Sequence, residues 1–310
     1  MKQKTLLFGM IVLTQSFFMN LAAQERHELK VPDIEGYKTL KCDFHIHTVF
    51  SDGLVWPSVR VGEAYLEGLD AIAITDHIEY RPHKKDIDAK LGRSFEIAEQ
   101  ATKEADVLVI RGSEITRSMP PGHFNAIFLA NNDSLDKKDW RDAFKAAKSQ
   151  NAFIFWNHPG WASQQPDSTK WWPEHTELYN AGCMNGIEVA NGKEYYPEAL
   201  QWALDKKLTM LGNSDIHVPI NNEYDFAKGE HRTMTFVFAK ERSIEGIRDA
   251  LLNRRTAVYA GNKIIGERKY LKALFENAIE VTNVVKSGKN IKITFKNKSD
   301  LTFELLKTEH

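Results

Sequence analysis

An alternating segment that begins at Leu40 continues as Asp43-Phe44-His45-Ile46-His47-Thr48. Successive side chains of a β-strand point to opposite faces, so positions 43, 45 and 47 share one face. His45 and His47 therefore project in the same direction. The segment predicts a buried strand whose end presents two imidazoles to one site.

Four later apolar segments also end in His, Asp or Glu, and Asp52 lies in the turn after the first strand. A single histidine at a strand end is more often a hydrogen-bonded structural residue, but five such endings together predict a metal cluster. Imidazole and carboxylate ligands suit Zn, Mn or Fe, so we expect two or three divalent ions. The candidate ligands are His45, His47, Asp52, His77, Glu114, His123, His158, Asp215 and His217.

Short apolar strands alternate with amphipathic helices along most of the chain. Strands are predicted at 107–111, 124–130, 152–156, 186–189, 208–211 and 234–238. Helices are predicted at 58–67, 88–104, 137–149, 197–206 and 244–253. This βα order predicts an α/β fold with a parallel sheet, and barrel enzymes place their chemistry at the carboxyl ends of such strands.

The pattern changes after Asn277, where three segments alternate without an intervening helix, at 279–281, 291–295 and 301–305. They predict a small antiparallel β module over 275–310, and whether that module is complete stays open. It is too small to be stable without packing on the barrel. A structural or surface-attachment role is favoured over a substrate-binding one.

The N-terminus reads as a secretory signal peptide over 1–23, with a positive start, an apolar run and small residues before Gln24. A membrane anchor is the alternative, but Thr14, Gln15 and Ser16 interrupt the apolar run. We therefore expect a bacterial protein exported to the periplasm or beyond, without a stable membrane span.

Composition excludes some partners. A formal net charge of −1 indicates no strong field for nucleic acid or membrane surfaces. Cys42 and Cys183 are expected to be two separate buried thiols rather than a disulfide, and neither is a ligand candidate. The sequence leaves the oligomeric state open.

From about Lys41 to about Ala260 the series of motifs resembles the polymerase and histidinol phosphatase (PHP) family of metal-dependent phosphoesterases. The resemblance implies a distorted seven-stranded TIM-like barrel over 36–265 and a small-molecule phosphoester as the partner. It implies three ligand sets, with Asp52 at a position where some members have His. The sets are His45, His47, Glu114 and Asp215; Glu114, His123 and His158; and Asp52, His77 and His217.

Three cationic side chains lie next to predicted strands, two after a strand end and Arg232 at the start of one, and are candidates to contact a phosphoryl oxygen, although each alone is more often a surface charge. They are Arg117, Lys193 and Arg232. Among them Arg117, three residues after Glu114, is the candidate for the catalytic site. Glu114 is expected to be shared by two metal ions.

Tryptophans are dense around the loop after the fifth predicted strand, at Trp156, Trp161, Trp171 and Trp172. They could wall an apolar leaving-group pocket, although loop packing explains them almost as well. His175 is a candidate proton donor to the leaving group; a metal-held water or no donor at all are the alternatives. Asp76, Glu188 and Asn191 are expected to orient the ligands.

The favoured function is a secreted phosphodiesterase that uses a hydroxide bridging two metal ions. A phosphomonoesterase or an amidohydrolase-like enzyme on the same cluster is the alternative, because such a hydroxide attacks phosphoryl and carbonyl centres alike. A metal-binding surface module without turnover is a third, weaker interpretation.

Overall fold

The computed structural model describes residues 26–306, so the predicted signal peptide lies outside the described residues. The strands are β1 (Lys38–Asp43), β2 (Ala71–Ile74), β3 (Leu108–Ile115), β4 (Phe124–Ile127), β5 (Phe153–Trp156), β6 (Gly186–Asn191), β7 (Glu194–Tyr195), β8 (Thr209–Asn213), β9 (Met234–Ala239), β10 (Thr256–Ala260), β11 (Lys263–Gly266), β12 (Ile279–Ser287) and β13 (Asn290–Asn297). The helices are α1 (Pro57–Leu66), α2 (Arg93–Ala101), α3 (Trp140–Ser149), α4 (Pro173–Asn180), α5 (Pro197–Lys206), α6 (Ile220–Glu223), α7 (Ile244–Leu252) and α8 (Arg268–Ala278).

The first eleven strands form one curled sheet in the order β11-β10-β9-β1-β2-β3-β4-β5-β6-β7, with β8 also paired to β6. The pairs β1–β2, β2–β3, β5–β6 and β6–β8 are parallel. The expectation of a wholly parallel sheet was wrong, because β4 runs antiparallel to both β3 and β5. A direct connection without a helix joins β3 to β4, and such a connection reverses the chain.

Strand reversal has a consequence for the predicted site. The beginning of β4 lies at the same edge as the carboxyl ends of its neighbours, so His123, just before β4, can meet residues that follow other strands. The same holds for β9, which is antiparallel to β1 and is preceded by Arg232. Polar residues from both strand directions thus gather at one edge.

Side-chain hydroxyls connect β8 to β9 and β10 where no strand pairing exists. Thr235 Oγ1 accepts from Gly212 N at 3.0 Å and donates to Gly212 O at 2.8 Å, and Thr256 Oγ1 donates to Met210 O at 2.8 Å. A Cβ on Gly212 would lie 2.2 Å from Val258 Cγ1, so only glycine permits this approach. The result is a curled mixed α/β sheet that is consistent with the expected barrel type.

Below the polar edge, one fully buried apolar cluster includes Phe44, Phe153, Phe155, Leu211 and Val237. A second cluster packs α1, α2 and α8 on the other face of the sheet. Helix α8 was not predicted, although Tyr270, Leu274 and Ala278 form its buried stripe at a four-residue spacing.

The C-terminal module has two strands rather than the three expected. β12 and β13 form an antiparallel hairpin whose turn contains Gly288 at φ +60. The third segment is not a strand, because Leu301 is buried in the second core cluster and Phe303 packs on Phe275 with ring centroids 5.3 Å apart. Burial against the barrel has replaced strand pairing there.

Two smaller expectations concern cysteine pairing and membrane spans. Cys42 and Cys183 are separate buried thiols, which confirms the prediction. No helix within residues 26–306 has the length and apolar character needed to cross a membrane.

Candidate metal centre

The polar edge of the sheet brings all nine predicted ligand residues together. They form four overlapping groups, in each of which one donor atom per residue lies within 4.8 Å of the others. The groups are His45, His47 and Glu114; His45, His158 and Asp215; Glu114, His123 and His158; and His47, Asp52, His77 and His217. His47 adjoins the third predicted ligand set as well as the first, which was not foreseen.

In the first predicted set, the two imidazole nitrogens lie close to each other and to an oxygen of each carboxylate. His45 Nε2 lies 3.1 Å from His47 Nε2, 3.0 Å from Glu114 Oε2 and 3.0 Å from Asp215 Oδ1. His47 Nε2 lies 3.2 Å from Glu114 Oε2 and 3.0 Å from Asp215 Oδ1. Separations of 3.0–3.2 Å are comparable to those between neighbouring ligands that each lie roughly 2.0–2.1 Å from one zinc ion. These residues fit a divalent transition metal.

Two carboxylate oxygens of the cluster, on Glu114 and Asp52, lie near imidazole nitrogens without making hydrogen bonds. His123 Nδ1 lies 2.7 Å from Glu114 Oε1, yet both atoms are buried and lack a hydrogen-bond partner within the described part of the chain. Asp52 Oδ1 is likewise buried without a hydrogen-bond partner in the described chain. It lies 3.5 Å from His77 Nε2 and 3.3 Å from His217 Nε2. Unpartnered buried polar atoms are rare, and divalent cations bound between these atoms would satisfy them.

Two ligand residues adopt backbone conformations that non-glycine residues rarely take. His158 has φ +29 and follows β5 by two residues, and Asp215 has φ +53 and follows β8 by two residues. Such conformations cost of order 1–3 kcal/mol and persist where the surrounding structure requires them. The strain falls on residues that complete the cluster.

The second nitrogen of three ligand imidazoles is held by a neighbour, which fixes the orientation of each ring. His45 Nδ1 lies 2.9 Å from Glu188 Oε1, His77 Nδ1 lies 2.5 Å from Thr116 Oγ1, and His217 Nδ1 lies 2.7 Å from Asp215 O. In each case Nε2 is left facing the cluster. Glu188 was expected in this role from the sequence; Thr116 was not.

Charges within the cluster are strongly coupled. Burial alone would raise the pKa of Glu114, but His77, His123 and His45 hold that pKa well below its usual range. Burial would lower the pKa of His217, yet the nearby carboxylates of Asp52 and Asp215 raise that pKa to about 9. Metal ions therefore have to displace protons from these imidazoles when they bind.

A buried network of hydrogen bonds and ion pairs beneath the cluster was not predicted from the sequence. Asp43 Oδ1 accepts from Ser214 N at 3.1 Å, and Asp43 Oδ2 accepts from Arg232 Nη1 at 2.9 Å. Arg232 also pairs with Glu67 and is fully buried, so it does not line the cavity as predicted. The signal was available, because position 43 shares a strand face with His45.

A cavity of about 810 Å³ lies over the cluster. Its wall beyond the ligand candidates includes Tyr80, Trp161, Gln164, Lys193 and Glu223. The Trp161 ring lies with its centroid 5.2 Å from that of His158 and 5.7 Å from that of His123. Tyr80, three residues after a ligand, could have been noted in the sequence from that spacing.

The remaining predicted tryptophans belong to the core or to loop packing. Trp156 is fully buried and stacks on Trp202, Trp171 packs at the edge of both rings, and Trp172 donates to Gln165 Oε1 at 3.2 Å. None of the three lines the cavity within the described residues. Of the four predicted tryptophans, Trp161 alone lines the cavity within the described residues.

Two predicted catalytic side chains also lie outside the cavity wall. Arg117 pairs with Glu79 at 2.7 Å and donates to the carbonyl oxygen of Lys137 at 2.6 Å, so its guanidinium is already engaged. Asp76 accepts from Thr48 N at 2.7 Å and from Ser51 Oγ at 2.8 Å. Asp76 therefore shapes the loop between His47 and Asp52, which agrees with an orienting role.

His175 is a structural residue. It is fully buried, its Nε2 donates to Pro121 O at 2.7 Å, and its Nδ1 accepts from Trp172 N at 3.0 Å. Burial lowers the pKa of the imidazole to about 4, so the ring is neutral at pH 7. The predicted role as proton donor to a leaving group is not supported, since both nitrogens are used and the side chain does not line the cavity.

Comparison with known proteins gives one strong relative. A crystal structure of a two-domain protein from Bacteroides vulgatus ATCC 8482, described as containing a predicted PHP-like metal-dependent phosphoesterase, is 60% identical to this chain. The TM-score is 0.89, over 90% of this chain and 81% of that one. A Bifidobacterium adolescentis ATCC 15703 protein, described as a candidate metal-dependent phosphoesterase, is 18% identical, with a TM-score of 0.43 over 57% of this chain and 87% of that one.

Sequence comparisons add little. An uncharacterized protein of Methanocaldococcus jannaschii is 39% identical over 84 residues, which are 26% of this chain and 36% of that protein. The match thus spans about a third of the length of this curated relative. No family model matches the chain.

The buried imidazole of His175 makes stability depend on pH. Its pKa is lowered in the folded state from the ordinary value of 6.5 to about 4, so its contribution to stability is complete above pH 6.5 and is lost as the pH falls toward 4. His175→Gln cannot ionise and should remove this component. Urea denaturation at pH 7.5 and pH 5 should show a smaller loss of stability on acidification in the variant. Equal losses in both proteins would contradict the assignment.

Proposed function

Because this chain belongs to the family of PHP-like metal-dependent phosphoesterases, we propose that it hydrolyses a phosphoester with two or three divalent metal ions. The observation that carries the proposal is that His45 Nε2 and His47 Nε2 lie 3.0–3.2 Å from each other and from carboxylate oxygens of Glu114 and Asp215. Among these atoms, Asp215 Oδ1 is buried without a hydrogen-bond partner within the described residues.

The proposed ligand sets are those that the family resemblance implies, and each shares members with the groups of neighbouring donor atoms. One ion would be held by His45, His47, Glu114 and Asp215, a second by Glu114, His123 and His158, and a third by Asp52, His77 and His217. Imidazole and carboxylate donors favour Zn, Mn or Fe. When bound, the ions would supply Lewis acidity, which would lower the pKa of a water molecule and offset negative charge on the phosphoryl group.

The protein's own residues orient the ligands and shape the cavity. Glu188 holds His45, and Thr116 holds His77, so that each Nε2 faces the cluster. Asn191 donates to Glu188 Oε2 at 2.8 Å and to Asp215 Oδ2 at 3.3 Å. These contacts fix the donor atoms before any ion binds, which reduces the cost of assembling the site.

A phosphodiester is the proposed substrate class. A diester carries one charge on phosphorus and two organic groups, whereas a monoester dianion wants several cationic donors. The cavity wall includes Trp161 and Tyr80, which are 39% and 54% exposed, and Lys193. Aromatic walls and few cations favour the diester. A phosphomonoesterase or an amidohydrolase-like hydrolase is the competing proposal.

The protein is further proposed to be exported, with residues 1–23 removed as a signal peptide. The support is the sequence pattern alone, a positive start and an interrupted apolar run followed by Leu21-Ala22-Ala23. Mass spectrometry of the protein from the cell envelope should give a mature N-terminus near Gln24. A chain retaining Met1 in the membrane fraction would contradict export by cleavage.

Metal content tests the cluster directly. Elemental analysis of the chain, purified without chelator, should find at least two transition-metal equivalents. Glu114→Gln should lower metal content more than substitution of any single histidine ligand, because two ions share that carboxylate. Glu177→Gln removes a carboxylate that pairs with Arg141 on the exposed surface, and it should leave metal content unchanged. Less than one equivalent in the wild-type protein would refute the proposal.

Relative rates on matched substrates test the diester preference. The metal-loaded enzyme should cleave an aryl phosphodiester more efficiently than the matched monoester or a carboxyl ester. Trp161→Ala should raise the KM for the diester without changing metal content, whereas Trp172→Ala, a matched change outside the cavity, should have little effect on KM. Monoester cleavage that is about tenfold more efficient, equivalent to about 1.4 kcal/mol of transition-state binding, would refute the diester proposal.

A further inference from the structure

The charge of the cavity wall depends on one flexible side chain. Lys193 is the sole lysine or arginine lining the cavity among residues 26–306. Outside the ligand candidates the wall also carries two carboxylates, those of Glu194 and Glu223. An anionic substrate that enters this cavity therefore has one ammonium group to bind besides the metal ions.

The backbone that carries Lys193 is tied to the cluster. Lys193 lies in the tight turn between β6 and β7, directly after Gly192 at φ +53. Gly192 N donates to Asn213 O at 2.9 Å, and Gly192 O accepts from Thr233 Oγ1 at 2.5 Å. Asn191, at the end of β6, contacts the ligand candidate Asp215 at 3.3 Å. The turn is therefore held close to the donor atoms, while the Lys193 side chain itself is 54% exposed.

The ammonium group of Lys193 has an exchangeable partner. Its Nζ lies 2.9 Å from Glu230 Oε2, and the two side chains are 54% and 42% exposed. Exposed ion pairs of this kind contribute little to stability, commonly 0.2–1 kcal/mol, because water and salt screen them. The Tyr224 ring, 5.5 Å from Nζ, lies under the same ammonium group. A phosphoryl group held at the cluster can compete with Glu230 for this cation.

We propose that Lys193 binds the anionic phosphoryl group of the substrate and exchanges Glu230 for it. The inference rests on the proposed phosphoesterase function and adds a substrate-binding residue to it. Glu230 is the resting counter-ion, so it opposes substrate binding. A lysine that only stabilised the fold through this ion pair would give the two residues equivalent roles.

Opposite effects of two substitutions distinguish these roles. Binding of inorganic phosphate to the metal-loaded protein is measured by calorimetry, and KM is measured with bis(4-nitrophenyl) phosphate. Lys193→Met should weaken phosphate binding and raise KM by roughly ten- to a hundredfold, as expected for loss of a charged hydrogen bond. Glu230→Gln should tighten binding by roughly two- to fivefold, because the competing carboxylate is gone. Lys193→Arg should recover much of the loss, since the charge is kept.

Controls separate this inference from the proposed function. Lys145→Met breaks a comparable exposed pair with Asp142 and should change neither binding nor KM. Four results would each overturn the inference. Two concern binding by the variants: equal weakening by Lys193→Met and Glu230→Gln, or unchanged phosphate binding in Lys193→Met. The other two are loss of metal in Lys193→Met and no phosphate binding by the wild type. Lysine-dependent phosphate binding without hydrolysis of any phosphoester would instead refute the proposed function and leave the inference standing.

Discussion

A single buried carboxylate connects the chain segments that form the floor of the cluster. Glu188 is fully buried, and its two oxygens lie 2.7–2.9 Å from four nitrogen atoms. These are His45 Nδ1, His158 N, Asn191 Nδ2 and Asn213 Nδ2. They belong to segments following β1 and β5 and to the ends of β6 and β8, so one side chain sets the relative positions of four strand ends. A carboxylate can remain in such a place because every contact is a hydrogen-bond donor.

A second buried carboxylate, that of Asp43, also connects chain segments beneath the cluster. Its carboxylate receives hydrogen bonds from Ser214 and from Arg232, and Arg232 in turn pairs with Glu67 at 2.6 Å. Ion pairs of this kind add little net stability, but loss of one partner commonly costs 3–5 kcal/mol because it leaves a buried charge unpaired. The main effect of the pair is therefore to fix the positions of nearby ligand candidates. Ser214 directly precedes Asp215, and Asp43, the last residue of β1, precedes His45 by two residues.

The parts of the site that the sequence predicted are those that follow from local geometry. Alternation along the first strand places His45 toward the site, and strand ends meet at one edge whatever the order of the strands. Long-range partners are not encoded locally. His123 reaches the cluster through a reversed strand, the Arg117 guanidinium is engaged by a carboxylate from another loop, and His175 turns inward against a tryptophan. Likewise Leu301 alternates as in a strand, but burial against the barrel outweighs that pattern.

Violations of ordinary folding preferences concentrate where the proposed chemistry lies. Four cluster atoms are buried without hydrogen-bond partners in the described chain, and they belong to Asp52, Glu114, His123 and Asp215. Asp215 also has a backbone conformation in the left-handed region, as does His158. A fold selected for stability alone would replace such residues, because each carries a cost that apolar packing avoids. Their retention at one edge of an otherwise well-packed sheet indicates that bound ions, rather than protein contacts, supply the missing interactions.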